Sequence, residues 1–148
     1  LLVEHAHAWA GDRSKFSPLL VKLMSWAEGR SAAELAAASQ LADRGQVQLQ
    51  QWLAQCDVVV MPTAPQRAFA FGNPAPASQA DLTAYANLAG NPALSVPLPV
   101  AAGELPAGMQ LIGSIGDELT LIALAEAFQQ AIGWQPALPE ACKTWWPK

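Results

Sequence analysis

Hydrophobic residues recur at helical spacing near the start of the chain. Residues 1–10 are apolar at most positions, which predicts the end of a helix. Apolar side chains three and four positions apart predict a second helix over residues 16–28. Gly29 follows this segment and is the residue type that commonly ends a helix in a left-handed conformation.

The clearest local signal is a capping box formed by Ser31 and Glu34. The serine hydroxyl can accept from the Glu34 amide, while the glutamate carboxylate accepts from the Ser31 amide. The box predicts a long helix that ends near Gln55. Gly45 inside this helix costs about 1 kcal/mol relative to alanine, so we expect it to pack closely against a neighbour.

Three short segments have the patterns of β-strands. Residues 57–61 form a continuously apolar, β-branched run, which is typical of a strand buried on both faces of a sheet. Residues 94–98 alternate between apolar and other side chains, and their prolines favour an edge position. Residues 107–112 predict a third strand, with Gln110 on the face opposite Met109.

Between and after these strands the pattern predicts a loop and two helices. Residues 62–78 are rich in proline and alanine without periodicity, and long loops of this kind are usually functional or poorly ordered. A short helix capped by residues 78–81 should end at Gly90, and Asp117 should cap a helix over residues 118–132. The order of elements predicts an α/β fold with too few strands for a complete sheet.

Composition narrows the function classes. The chain has 148 residues, of which 52% are hydrophobic and 14% charged, with a formal net charge of −4. These values fit one globular domain or part of a larger one, and they exclude a disordered chain. The absence of a basic run argues against nucleic-acid binding, and no apolar run reaches the roughly 18 residues of a membrane span. Two cysteines without a CxxC motif suggest a reducing, cytoplasmic location.

No complete catalytic or metal-binding motif is present. The chain lacks a nucleophile elbow, an S-x-x-K pair, a P-loop and a dinucleotide fingerprint. His5 and His7 have no third ligand indicated by spacing, so we expect ordinary histidines and no metal site. Cys56 precedes a predicted buried strand, and we expect an inert core thiol there.

Three segments in a fixed order resemble the C-terminal portion of amidase signature enzymes. They are DVVVMPT at 57–63, NLAGNPALSVP at 87–97, and LPAGMQLIG at 105–113. The resemblance covers residues 1 to about 135 and leaves 136–148 as an irregular tail. It implies that residues 1–148 are a single unit, the C-terminal portion of an amidase domain with an α/β/α layered fold and a mixed sheet. The first residue, Leu1 instead of Met, also suggests a piece of a longer protein.

The resemblance also implies a chemistry. The family hydrolyses an amide C–N bond, or transfers the released ammonia, with a nucleophilic serine, a second serine in a cis peptide and a lysine, and needs no cofactor. These residues lie in a signature N-terminal to the matching segments, so none of them is assigned to this chain. The implied partners are the N-terminal part of the same enzyme and a small amide substrate.

Five residues are candidates for the site or its scaffold. Thr63 follows a strand end, where pockets open in α/β proteins, and is the candidate substrate-binding residue. Asn87 and Gly90 are expected to complete a helix end, Asn87 by bridging unpaired backbone groups. Gly108 suggests a close backbone approach within a strand, and Gln110 needs a hydrogen-bond partner if it is buried.

Two alternatives belong to other function classes. The low charge and the two tryptophans near the C-terminus also fit a non-catalytic module that self-associates, as a homo-oligomer, or binds a partner. An unrelated α/β domain that binds a small ligand is the third hypothesis.

Overall fold

The computed structural model describes residues 5–101 and 103–133, so the predicted irregular tail at 136–148 lies outside the described residues. They form two compact units, which divide between Arg44 and Gly45 within one long helix. No helix in these described ranges combines the length and apolarity needed to cross a membrane. In chain order the elements are α1 (Ala6–Gly11), a 3-10 turn (Arg13–Lys15), α2 (Pro18–Glu28), α3 (Ala32–Leu53), β1 (Val58–Pro62), α4 (Ala84–Ala89), β2 (Ala93–Leu98), β3 (Ala107–Gly113) and α5 (Glu118–Ala131).

The first unit is organised around the buried side chain of Trp9 on α1. Phe16 packs edge-on against its ring, with 5.6 Å between ring centroids, and the Arg13 guanidinium lies 4.0 Å above it. Glu28 accepts hydrogen bonds from the Trp9 indole and from Arg13. A single carboxylate therefore links the end of α2 to α1 and to the turn after it.

The helix termini in this unit follow the sequence closely. The predicted capping box is present, because the Ser31 amide donates to Glu34 Oε2 at 2.8 Å and the Glu34 amide donates to Ser31 Oγ at 3.2 Å. Gly29 does lie at the end of α2, but its φ of −79° is not left-handed. The helix therefore ends at the predicted residue, without the left-handed conformation that glycine often adopts at such a position.

The second unit contains a three-stranded sheet with the order β1-β3-β2, and both pairings are antiparallel. The α/β fold class is confirmed, and β2 lies at an edge as its prolines predict. The parallel pairs that a mixed sheet implies do not occur among these three described strands. β1 is also an edge strand, and Val60 on it is 55% exposed. The prediction that β1 is buried on both faces is wrong in this structure, because the described helices cover the sheet without covering Val60.

Helices pack on both faces of this sheet. On one face, α5 contributes Leu121 and Ala125 to a cluster with Val96 and Leu111. On the other face, Leu49 from the later part of α3 and Ala86 from α4 pack on Ile112. Gly45 lies close to Tyr85 of α4, since a Cβ added at Gly45 would be 3.4 Å from its ring. The second unit is therefore a helix–sheet–helix arrangement.

The start of α4 and the capping of α4 and α5 differ from the sequence prediction. α4 begins at Ala84 and not within residues 78–81, which instead form turns, and its N-cap Thr83 makes no side-chain capping bond. Asp117 precedes α5 as predicted, but its side chain makes no capping bond either. The local sequence offered suitable capping residues at both places, and the tertiary packing of the helices placed the backbone differently.

Candidate functional site

The candidate site lies where the end of β1 and the middle of β2 face each other across β3. Thr63 follows β1, and Ser95 lies in β2. Neighbouring strands are about 4.8 Å apart, so strands on either side of a third are separated by about 9.6 Å. The two hydroxyls nevertheless form a hydrogen bond, with 2.7 Å between Thr63 Oγ1 and Ser95 Oγ.

Gly108 in β3 makes this contact possible. A Cβ on Gly108 would lie 2.9 Å from Thr63 Oγ1 and 3.0 Å from Ser95 Oγ, closer than such atoms normally come. The Thr63 amide also donates to the Gly108 carbonyl at 2.9 Å, which extends the pairing of β1 and β3 by one residue. The missing side chain of Gly108 therefore leaves the space in which the two hydroxyls meet.

This hydroxyl pair lies in an open cavity of about 640 Å³, which we call the hydroxyl pocket. Proline and alanine predominate in its lining, together with Phe69 and Leu98, and two glutamines, Gln66 and Gln79, hydrogen-bond to each other at its wall. The lining residues are Pro62, Thr63, Ala64, Pro65, Gln66, Arg67, Ala68, Phe69, Gln79, Ser95, Pro97, Leu98, Pro106, Ala107 and Gly108. The predicted loop after β1 therefore forms much of a pocket wall.

Arg67 is the ionisable side chain among these lining residues. Its Nη1 atom lies 3.1 Å from Oε2 of Glu104, which belongs to the connection between β2 and β3. Both side chains are about half exposed. The ion pair joins the two chain segments that border the pocket.

Among the described lining residues of the hydroxyl pocket, several can bind a ligand, but none is a histidine or lysine that could activate a nucleophile. A serine or threonine hydroxyl needs an adjacent base such as histidine or lysine to become nucleophilic. Residues 45–133 contain neither residue type. One hydroxyl of the pair donates to the other, which leaves one hydroxyl hydrogen and further lone pairs for a ligand.

Gln110 is buried in β3 on the same face of the sheet as Gly108. Its side-chain amide donates to the Leu82 carbonyl at 3.2 Å, in the segment just before α4. This bond joins the segment before α4 to the sheet, and Gln110 is not among the lining residues of the pocket.

The end of α4 carries a polar contact that the sequence did not reveal. Gly90 adopts a left-handed conformation, with φ of +70°, directly after the helix. Asn87 is exposed, whereas Asn91 is only 8% exposed. Asn91 donates to the Gly113 carbonyl at 2.8 Å and accepts from Gln50 at 2.7 Å. The bridging role expected of Asn87 is thus performed here by Asn91, four positions later.

Sequence reasoning also missed Ser95 and Arg67. The alternation in residues 94–98 places Ser95 on the face opposite Val96. This alternation, together with a glycine in the neighbouring strand, was the signal in the sequence that could have identified Ser95. No local pattern indicated that Arg67 would line the pocket, because its position depends on the conformation of a loop without periodicity.

The remaining candidate residues are not among the lining residues of the hydroxyl pocket. His5 packs edge-on against Phe16 and His7 is exposed, both in the first unit. Within residues 5–101 and 103–133, no group of three or more His, Cys, Asp or Glu side chains could hold a metal ion. Cys56 is exposed and donates to the Trp52 carbonyl, so the expected core thiol is wrong. The physical reason is its position in the connection between α3 and the edge strand β1.

Known proteins with similar sequences include A subunits of glutamyl-tRNA(Gln) amidotransferase. The A subunit of glutamyl-tRNA(Gln) amidotransferase from Azoarcus sp. (strain BH72) is 45% identical over 92 residues, which are 59% of this chain and 19% of that protein. The protein of the same name from Cupriavidus taiwanensis is 42% identical over 95 residues, 61% of this chain and 19% of its own length. The alignment therefore spans about a fifth of these relatives.

Solved structures show the same fold. A bacterial aryl acylamidase of the amidase signature family matches with a TM-score of 0.65 and 26% identity, over 82% of this chain and 28% of its own. A crystal structure of an amidase matches with a TM-score of 0.68 and 20% identity, over 86% of this chain and 31% of its own. A sequence model of the family described as Amidase matches residues 14–122, which include β1, β2, β3 and the hydroxyl pocket. The chain therefore belongs to the amidase family.

Proposed function

We propose that this chain is the C-terminal segment of an amidase signature enzyme that hydrolyses an amide C–N bond. In this proposal it contributes sheet strands and one wall of the substrate pocket. The catalytic serines and lysine come from an N-terminal part of the same enzyme. Membership of the family supports the reaction class, and the alignment to about 19% of the curated relatives supports the role of a segment.

The observation that carries the proposal is a pocket that has hydrogen-bonding hydroxyls but neither histidine nor lysine among its described lining residues. Thr63 and Ser95 face a cavity large enough for a small amide, and nothing in residues 45–133 can take a proton from either hydroxyl as histidine or lysine would. Such a wall can bind and orient a substrate while another part performs the chemistry. Binding groups of this kind accelerate a reaction by holding the substrate in reactive geometry.

The reaction that this wall would serve has two steps. The supplied serine oxygen bonds to the amide carbon, the C–N bond breaks, and the amine leaves with the serine's proton. Water then attacks the acyl-serine, which releases the carboxylic acid and restores the serine hydroxyl. In this scheme the free hydroxyl hydrogen of the Thr63–Ser95 pair donates to an acceptor on the substrate, and the pair takes no proton from it.

Hydrolysis of an anilide tests whether the catalytic residues lie outside residues 1–148. We expect residues 1–148 alone to release no 4-nitroaniline from 4-nitroacetanilide above the buffer rate, and the complete gene product to release it. An irreversible serine-directed inhibitor should abolish the second activity. Turnover by residues 1–148 alone that is lost in a Thr63→Val, Ser95→Ala double variant would contradict the proposal, because the pocket hydroxyls would then perform the chemistry themselves.

A pair of Thr63 variants tests the binding role. Thr63→Val keeps the shape of the side chain but removes the hydroxyl, whereas Thr63→Ser is a matched control that retains it. A hydrogen bond contributes about 0.5–1.5 kcal/mol, so we expect KM of the complete gene product to rise roughly two- to tenfold in Thr63→Val. Thr63→Ser should stay closer to the unchanged protein. Equal effects of the two variants would assign Thr63 a packing role and remove it as a substrate contact.

Exposed apolar side chains favour a second candidate function, the self-associating or partner-binding module. Val60 on β1 and Leu119 and Ile122 on α5 are exposed although they are large and hydrophobic. If the chain is a segment of an amidase, the rest of the enzyme covers these residues. If it is a separate module, a second copy or another protein covers them. Sedimentation of residues 1–148 as a monomer across a hundredfold concentration range would remove self-association.

A further inference from the structure

We infer that the ion pair of Arg67 and Glu104 makes the hydroxyl pocket selective for amides whose acyl group carries no charge, with Glu104 as the specificity-determining residue. The inference rests on the proposed function, because it names the substrate class of the same pocket. It concerns binding at the pocket wall, however, so its test can be separated from the test of catalysis.

The described lining of the pocket carries a single kind of charge, the guanidinium of Arg67. Arg67 is the ionisable residue of the lining, and the other lining side chains are apolar, hydroxyl or amide groups. An unpaired guanidinium in that place would present five donors in a geometry that matches a carboxylate. Without its partner, Arg67 would therefore make the pocket a binding site for acidic substrates.

Glu104 changes that preference. Its Oε2 atom lies 3.1 Å from Arg67 Nη1, so a carboxylate that approaches the guanidinium also approaches a second carboxylate. In a water-exposed site, one charge–charge interaction at about 4 Å corresponds to a factor of roughly five in affinity. Attraction to Arg67 and repulsion by Glu104 then nearly cancel, and nothing offsets the cost of partly removing water from the substrate's carboxylate.

An uncharged acyl chain avoids this cost. Phe69, Leu98 and the surrounding prolines and alanines offer it apolar contacts. Gln66 and Gln79 carry uncharged amides, and these are hydrogen-bonded to each other. The pocket thus combines an apolar surface, a neutral hydroxyl donor and a self-neutralised ion pair, and these together fit a neutral acyl group.

Two anilides that differ in the end of the acyl chain test the inference. The probes are 4-nitrobutyranilide, which is neutral, and the 4-nitroanilide of succinic acid, which carries a carboxylate. In the complete gene product we expect kcat/KM to favour the neutral probe. Glu104→Gln should shift the ratio of the two kcat/KM values toward the anionic probe by about fivefold. Glu126→Gln is the matched control, since it makes the same charge change at an exposed site on α5.

Binding to residues 1–148, measured by equilibrium dialysis of the same anilides, separates this inference from the proposed function. If neither anilide is hydrolysed but Glu104→Gln still shifts the ratio of dissociation constants, the proposed function fails and the selectivity stands. The inference is overturned if Glu104→Gln shifts neither ratio by more than the control does, or if the unchanged protein already favours the anionic probe. Failure of both anilides to bind and to react would overturn both proposals.

Discussion

Replacing Gly108 with alanine tests whether the missing side chain is what brings the two pocket hydroxyls together. The added methyl group would be 2.9 Å from Thr63 Oγ1, 3.0 Å from Ser95 Oγ and 3.3 Å from Thr63 Cβ. Gly108 lies in the central strand, whose pairing with both neighbours restricts any backbone movement that could relieve these contacts. At least one of the hydroxyls must therefore move, and their hydrogen bond should break.

The expected size follows from opposing contributions. Overpacking a well-fitted site costs about 1–3 kcal/mol, and the lost hydrogen bond costs about 0.5–1.5 kcal/mol. Replacing glycine with alanine also stabilises the folded state by about 0.4–1 kcal/mol, because it lowers the conformational entropy of the unfolded chain. The free energy of unfolding should therefore fall by roughly 0.5–4 kcal/mol, and the pocket should bind its ligands more weakly.

Urea unfolding of residues 1–148, followed by circular dichroism, measures this change. The decisive comparison is a double-mutant cycle with Thr63→Ala, which removes the oxygen nearest to the added methyl group. We expect the double variant to be less destabilised than the sum of the two single variants. Gly11→Ala is the control, because a Cβ at Gly11 meets nothing within 4 Å. Unchanged stability of Gly108→Ala, or strictly additive effects, would refute the reasoning.

Two further predictions concern stability outside the pocket. Asn91→Ala removes the donor to the buried Gly113 carbonyl and should lower the free energy of unfolding by about 1–3 kcal/mol, whereas Asn87→Ala, at an exposed site, should change it by less than about 0.5 kcal/mol. Equal losses in the two urea titrations would contradict the assignment of the bridging role to Asn91. The hydrogen bond from the Ser31 amide, followed by that from its hydroxyl, holds the pKa of Glu34 below its ordinary value of 4.5. A carboxyl group with a lowered pKa stabilises the folded state above its unfolded pKa, and this stabilisation is lost as pH falls through the folded pKa. Urea midpoints taken from about pH 6 to about pH 3 should therefore fall more steeply in the unchanged protein than in Glu34→Gln, and parallel curves would refute a role for the capping box in this pH dependence.

Local signals predicted most elements but not their surroundings. The capping box of Ser31 and Glu34 is present as predicted, because all of its atoms lie within four consecutive residues. The burial of β1 was not predictable in the same way. Whether Val60 is covered depends on which strand and helix lie beside it, and a continuous apolar run describes only the strand itself.

In the candidate site, too, the local features could be predicted from the sequence and the long-range contacts could not. The position of Thr63 at the end of a strand could be inferred from the apolar run and the proline before it. Its partner Ser95 lies 32 positions away, and its contact depends on antiparallel register that places both residues beside Gly108. The pairing of Arg67 with Glu104 likewise joins two irregular segments, for which periodicity carries no information.

The sequence by itself determined the fold class, the family resemblance and the ends of several helices, because these depend on residue periodicity, short motifs and caps that act over a few positions. The tertiary structure decided which side chains share a site. Strand order placed Gly108 of β3 between Thr63, which follows β1, and Ser95 of β2, and the fold of the loop after β1 brought the Arg67 guanidinium to their pocket. Those contacts join residues far apart in the chain, and only the packed sheet specifies them.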